Sequence, residues 1–338
     1  QGYSLTKFIV DKYGEKSLSD ISDNLSKPLI YSINKAIYNT LGVSAYNIYN
    51  AWKDELSNIY EIQLKNIDDI NNYNIIAGKG TTNIHPSWSP DGGKIAYLSN
   101  KENDYFTQTD LFIYNVSDST NKKIKSGVKT APTWINDSLI VYSKISKPNS
   151  NGSKFFDLYS YNLSEKEEDR LTHGLRLYSP IYNESNKKIY AINTYDGTSN
   201  IFEGDIEFKE YKQLTNFNDG TQIFSLSIDD SLIVFDAVTN HGRKIHFFNL
   251  NDESLGFIKN DSWDSRDPIN YNNKLYFVND KHGIFNLAID DGMDTHYITN
   301  VKGGVFMPDI SIKGEIAFSL YENGCYKISI LDTSTIID

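Results

Sequence analysis

Asp264 and Asp267 are the closest approach in this chain to a pair of carboxylates that could share acid and base work, as a lyase or glycosidase needs. Nothing beside them in the sequence completes such a site. The six histidines, 85, 173, 241, 246, 282 and 296, are no richer. His241 and His246 stand five apart across a turn and a strand, and His282 and His296 fall in other strands, so no metal-ligand spacing results. Asp290-Asp291-Gly292-Met293-Asp294 has the charge of a calcium loop without its spaced carboxylates or distal glutamate, and reads as a hairpin loop. Ser89-Pro90-Asp91-Gly92-Gly93 begins like a sialidase Asp-box but lacks the Thr-Trp ending; a turn between strands accounts for its Pro, Asp and Gly. No Gly-x-Ser-x-Gly occurs. The expectation is a chain with no catalytic residue, no metal and no cofactor. Chemistry of another kind is offered by His85, Arg176, Tyr178, Phe224, Trp263, Arg266, Asp267 and Phe306. Aromatic rings and guanidinium groups dominate hot spots in protein interfaces. These residues are spread over most of the chain, so only a fold that gathers them would make them a site.

A repeat supplies that fold. Segments beginning near 85, 131, 179, 224, 267 and 307 read HPSWSPDGGK, APTWINDS, SPIYNESNKK, FSLSIDDS, DPINYNNK and MPDISIKG. Anchored on Pro86, Pro132, Pro180, Leu226, Pro268 and Pro308, they are 46, 48, 46, 42 and 40 residues apart, the length of one four-stranded propeller blade. Five of the eight prolines hold this register, which suits Pro as the first residue of a strand, where no ladder donor is needed. Second strands follow as IAYLSN, LIVYSK, IYAINT, LIVFDA, LYFVND and IAFSLY, short β-branched and aromatic runs of the kind packed on both faces. Third strands read from DLFIYNV to CYKISIL, but only five fourth strands follow. The chain stops at Asp338 soon after the sixth third strand, while residues 72–80 carry a fourth-strand pattern ahead of the first blade. This predicts a mainly β protein, a six-bladed propeller over 61–338 whose N-terminal strand closes the last blade and removes both exposed edges.

In such a ring the loops leading into first strands and those linking second to third strands share one end of the channel. The entering loops supply the eight residues named above together with Lys129, Gln222, Asp264 and Met307. Tyr178, Phe224 and Phe306 are equally suited to plugging the channel as core. The second-to-third loops of the first two blades, NKENDYFTQT and SKPNSNGSKFF, are the longest, and Tyr105, Phe106, Phe155 and Phe156 in them would widen the rim. A protein or peptide partner at this mouth is the binding mode expected.

Residues 1–60 are of a different kind, a small α-helical segment. Leu5, Phe8, Ile9, Lys12 and Tyr13 have helical spacing up to Gly14; Leu18, Ile21 and Leu25 suggest a second helix ended by Pro28; Ile33, Ala36, Ile37 and Leu41 suggest a third closed by Gly42. Ser44 is a natural N-cap for a fourth running to about Tyr60, with Ile48, Trp52, Leu56 and Ile59 on one side. The formal charge of −11 argues against duplex nucleic acid and anionic membrane surfaces. No run approaches a membrane span and no signal peptide is present. The single Cys325 allows no intramolecular disulfide. A start at Gln1 reads as a mature or excised part of something longer. The sequence gives no reading of the oligomeric state.

Two resemblances extend this. HPSWSPDGGKIAYLSN, with the Leu171-Thr172 and Leu214-Thr215 closings, is similar to TolB-type rings. Asn136-Asp137, Asp229-Asp230, Asn272-Asn273 and Lys313-Gly314 replace Pro-Asp-Gly in later blades, and blade four lacks the proline. GYSLTKFIVDKYGEKSLSDI and SINKAIYNTLGVSAYNIYNAWKDEL resemble the last helices of gluzincin zinc metallopeptidase domains, with no HExxH in this chain. The resemblances imply a non-catalytic binding propeller, exported to the periplasm or cell surface; alternatively a ring that recruits or gates substrate for a peptidase domain encoded upstream.

Overall fold

The computed structural model describes residues 2–65, 67, 73–238, 242–260 and 262–332. His241 and Asn72 lie outside them. The chain divides into two compact units, Gln1–Asp68 and Asp69–Asp338.

In the first unit, helices α1 (Gly2–Tyr13), α2 (Lys16–Leu25), α3 (Ile33–Leu41) and α4 (Ala45–Leu64) close on Phe8, Ile9, Ile48 and Trp52. The Trp52 indole N–H donates to Ser4 Oγ at 3.0 Å, which satisfies the one polar atom this ring carries inside. Gly42 takes φ 70° as the left-handed stop of α3, and Ser44 Oγ accepts the Asn47 N–H at 3.2 Å to cap α4. The fourth helix runs a turn beyond the expected Tyr60, and Ile59 is exposed rather than on the inner face.

In the second unit, six four-stranded antiparallel sheets follow one another. The first five are β2 (Asn83–Trp88), β3 (Lys94–Ser99), β4 (Asp110–Asn115), β5 (Thr120–Ser126); β6 (Thr133–Asn136), β7 (Leu139–Ile145), β8 (Phe156–Asn162), β9 (Glu167–Arg170); β10 (Leu177–Asn183), β11 (Lys188–Tyr195), β12 (Thr198–Gly204), β13 (Tyr211–Gln213); β14 (Gln222–Asp229), β15 (Leu232–Val238), β16 (Arg243–Asn249), β17 (Leu255–Lys259); and β18 (Ser265–Tyr271), β19 (Lys274–Asn279), β20 (Asn286–Asp290), β21 (Thr295–Tyr297). The sixth joins β22 (Val305–Ile310), β23 (Ile316–Glu322) and β24 (Cys325–Leu331) to β1 (Tyr73–Ala77), with Tyr73 opposite Leu331 and Asn74 opposite Ile330. The N-terminal strand therefore closes the ring.

Second strands carry the core. Tyr97, Tyr142, Phe235, Phe277 and Phe318 occupy one column of five blades and are essentially fully buried, each contributing roughly 1.5–3 kcal/mol by burial. The buried hydroxyls find partners: Tyr97 Oη donates to Asn121 Oδ1 at 2.7 Å and Tyr142 Oη to Glu168 Oε1 at 2.5 Å. The Leu-Thr closings have a polar reason. Thr172 Oγ1 accepts the Leu158 N–H at 2.9 Å and donates to Asp157 Oδ1 at 3.0 Å; Thr215 does the same between Ile201 N and Asn200, and Thr299 between Leu287 N and Asn286. Each threonine thus satisfies the backbone where a short fourth strand runs out.

Candidate functional site

The first strands line the channel, and the prolines sit differently from the expectation. Pro86, Pro180, Pro268 and Pro308 are mid-strand rather than first; only Pro132 precedes its strand. The residue before each of the four has a left-handed backbone, with φ 54° at His85, 49° at Ser179, 49° at Asp267 and 51° at Met307. At each the register with the second strand slips, between Ile84 and Ser87, Tyr178 and Ile181, Arg266 and Ile269, and Phe306 and Asp309. These are β-bulges, in which Pro loses no ladder bond because it has no N–H to give. Blade four makes its slip without proline, between Ile223 and Ser225, leaving Phe224 as the odd residue. A bulge re-aims a side chain, and His85, Ser179, Phe224, Asp267 and Met307 all line one cavity of about 490 Å³.

The eight expected site residues fall into three groups. His85, Tyr178, Phe224 and Asp267 line the cavity. Phe224 is 39% exposed, whereas Tyr178 is half-buried, packs against the core cluster of Tyr190, Ile192 and Phe235, and has its hydroxyl 2.9 Å from Thr194 Oγ1. Arg176 and Trp263 stand ahead of their strands and outside the cavity lining; Trp263 is 41% exposed. Arg266 and Phe306 belong to the wall: the Arg266 guanidinium lies 4.2 Å from the Phe285 ring and bonds Asp264 Oδ2 at 2.5 Å, and Phe306 packs on Phe285 and Tyr326. All eight were expected in entering loops; six lie within the bulged first strands, and only Arg176 and Trp263 stand ahead of theirs. Phe155 and Phe156 meet the entering segments, Phe155 against Arg176 at 4.3 Å and Phe156 against Tyr178 at 6.1 Å. Tyr105 and Phe106 are exposed.

Three groups in or behind the channel wall were not singled out in the sequence. Asp236, fully buried, accepts the Ser225 N–H at 3.0 Å and the Arg243 Nη1–H at 3.0 Å. Arg243 stacks 3.7 Å from the Phe224 ring, and its backbone N–H donates to Asp264. Burial, then the neighbouring Asp267 carboxylate, push the Asp236 acid up against the pull of Arg243; burial pushes Asp267 up against the Met307 N–H and the two arginines. Asp264 is taken up by Arg266, and the charge that Asp236 feels beside Arg243 is that of Asp267. The signal for Asp236 was its column: Leu98, Ser143, Ile192, Val278 and Ser319 hold that place in the other blades. Asp309, which accepts the Trp88 N–H at 2.6 Å, is pushed up by burial to about 7, and burial pushes His85 down to about 4. His246 is a core residue between Phe235 and Phe257. Within the Asp290–Asp294 turn the Asp290 carboxylate accepts the Gly292 N–H, and that of Asp291 accepts the Met293 and Asp294 N–H groups. Among the described residues no three metal-ligating side chains converge.

No family model matches the chain. A curated relative, the Tol-Pal system protein TolB of Ruthia magnifica subsp. Calyptogena magnifica, is 37% identical over 92 residues, 26% of this chain. That match spans only 20% of the relative's length. The structure of a putative TolB from Agrobacterium tumefaciens aligns with 74% of this chain and 90% of its own at TM-score 0.50 and 16% identity. The ring is a TolB-like six-bladed propeller. The same fold recurs in the β-propeller domain of the Trilobed protease from Pyrococcus furiosus (TM-score 0.51, 14% identity, 74% of this chain and 82% of that one) and in an oligogalacturonate lyase solved with manganese (0.52, 12%, 76% and 79%). At these identities the likeness is one of fold. No described helix is long and apolar enough to cross a membrane.

Proposed function

We propose that this TolB-like ring is a non-catalytic module that binds a protein or peptide segment at the channel mouth, and that it works outside the cytoplasm, as the Tol-Pal relative suggests. The observation that carries the reading is the ring of bulge residues, in which five blades each turn one side chain into a single cavity bordered by stacked arginines and aromatics. An extended chain fits a cavity of that kind better than a folded surface does, because its side chains can enter singly.

Panning a random peptide library on the wild-type chain and on an Arg176, Phe224, Trp263 triple alanine variant tests it. Arg266 is left alone because it braces Asp264 and Phe285. Peptides enriched on wild type and not on the variant are the expected result; no enrichment, or equal enrichment on both, overturns the reading.

A second reading attaches to the helical unit. It rests on the sequence resemblance of residues 2–56 to the last helices of gluzincin domains; in that segment Gly42 is a left-handed helix stop, Ser44 an N-cap and Trp52 an inward ring. The ring would then recruit substrate for a peptidase domain preceding this segment in a longer protein. An open reading frame without HExxH upstream of residue 1 removes that reading.

A further inference from the structure

Only four of the thirty-three basic residues are arginines, and three of them, Arg176, Arg243 and Arg266, are set at the entering end of blades three to five with the guanidinium against an aromatic ring. Arg243 is neutralised by Asp236 and Arg266 by Asp264, while Arg170, the fourth, is held by Asp157. Arg176 is the exception. Among the described residues no carboxylate reaches it; its neighbours are the rings of Phe155 at 4.3 Å and Tyr195 at 5.4 Å. It is half-buried and carries a left-handed backbone, φ 57°, a strained state for a side chain of this size. A guanidinium held by its face on aromatic rings can receive a carboxylate at its N–H edge through two parallel hydrogen bonds. Two residues on, Tyr178 enters the cavity beside Phe224.

We propose that Arg176 is a carboxylate receptor on the rim, and that the segment bound at the mouth presents an Asp or Glu side chain to it while the following residues run over Tyr178 and Phe224. This rests on the reading of the mouth as a peptide site. A fixed, uncompensated cation in a chain of net charge −11 is complementary to an acidic group and to little else. The acid is assigned to a side chain; a C-terminal carboxylate at Arg176 is the contrary outcome that amidated peptides reveal.

The test uses peptides enriched by panning on the full chain, synthesised with acetylated and amidated ends. Each Asp or Glu is replaced in turn by Asn or Gln, and binding is measured by calorimetry to wild type, Arg176→Gln and Arg176→Lys, with thermal unfolding as a control for folding. One replacement is expected to weaken binding to wild type at least tenfold and to have little effect on Arg176→Gln. Arg176→Lys, which keeps the charge and loses the fork, should recover only part. Enriched peptides without an acidic residue, equal affinity for Arg176→Gln, or loss of all binding on amidation of the C-terminus would each overturn the proposal while leaving a peptide site in place. Failure of panning would overturn the peptide reading itself. Arg176-dependent binding of an acidic oligosaccharide with no peptide binding would overturn both.

Discussion

Asp309 and His85 line the same channel with their titrations displaced in opposite directions. Asp309 takes up its proton near pH 7 in the folded ring and near 3.8 when unfolded, so between those values the folded state binds the more protons and stability falls as pH rises. Asp309→Asn keeps an oxygen to accept the Trp88 N–H and removes the ionisation. Urea unfolding at pH 5 and pH 8 should show the variant gaining on wild type by about 1 kcal/mol at the higher pH, with partial exposure to the channel holding the effect well below the full shift; parallel profiles would refute this. His85 runs the other way. Its folded value near 4 lies below the unfolded 6.5, so stability is lost as pH falls through that window, and His85→Gln should lose less between pH 7 and pH 5 in the same assay. At this scale the sequence was only partly legible. His85, Phe224 and Asp267 were marked by their place beside the repeat register, whereas Asp236 and Arg243 lie in second and third strands and come to stand in or behind the channel wall only when the ring closes.

The strands show what pattern does and does not convey. Short apolar second strands marked all six blades and Leu-Thr closings two of them, because burial on both faces and a polar strand end leave compositional traces. The bulges left a weaker one. A residue before proline ordinarily prefers extended backbone, so Ser179, Asp267 and Met307 read as plain strand entries; the tertiary slip against the second strand overrides that preference. The closings offer a direct test. Thr172→Val keeps the shape and strands the Leu158 N–H and one Asp157 contact in a buried place, for an expected loss of about 1–3 kcal/mol in chemical denaturation. The closing strand is worth more. Removal of residues 61–80 deletes β1 and exposes the β24 edge, and it should lower the melting temperature far more than removal of residues 1–50; equal drops would contradict closure.

For the whole molecule, the six-fold repeat dictates that residues far apart in sequence meet around one axis, and the charges are arranged accordingly. A chain of net charge −11 concentrates three of its four arginines at one end of the ring, each on an aromatic face, above a cavity that receives bulge residues from five blades. On the proposed function the channel mouth, rather than the outer blade faces or the helical unit, is the recognition surface. The decisive measurement is to couple a photoreactive group to a peptide enriched on the wild-type chain, crosslink it, and map the attachment sites by mass spectrometry. The account requires crosslinks at Tyr178, Phe224 and the segments holding Arg176 and His85, all lost in the triple variant; crosslinks confined to outer strands such as β9 or β17, or to residues 2–65, would contradict it.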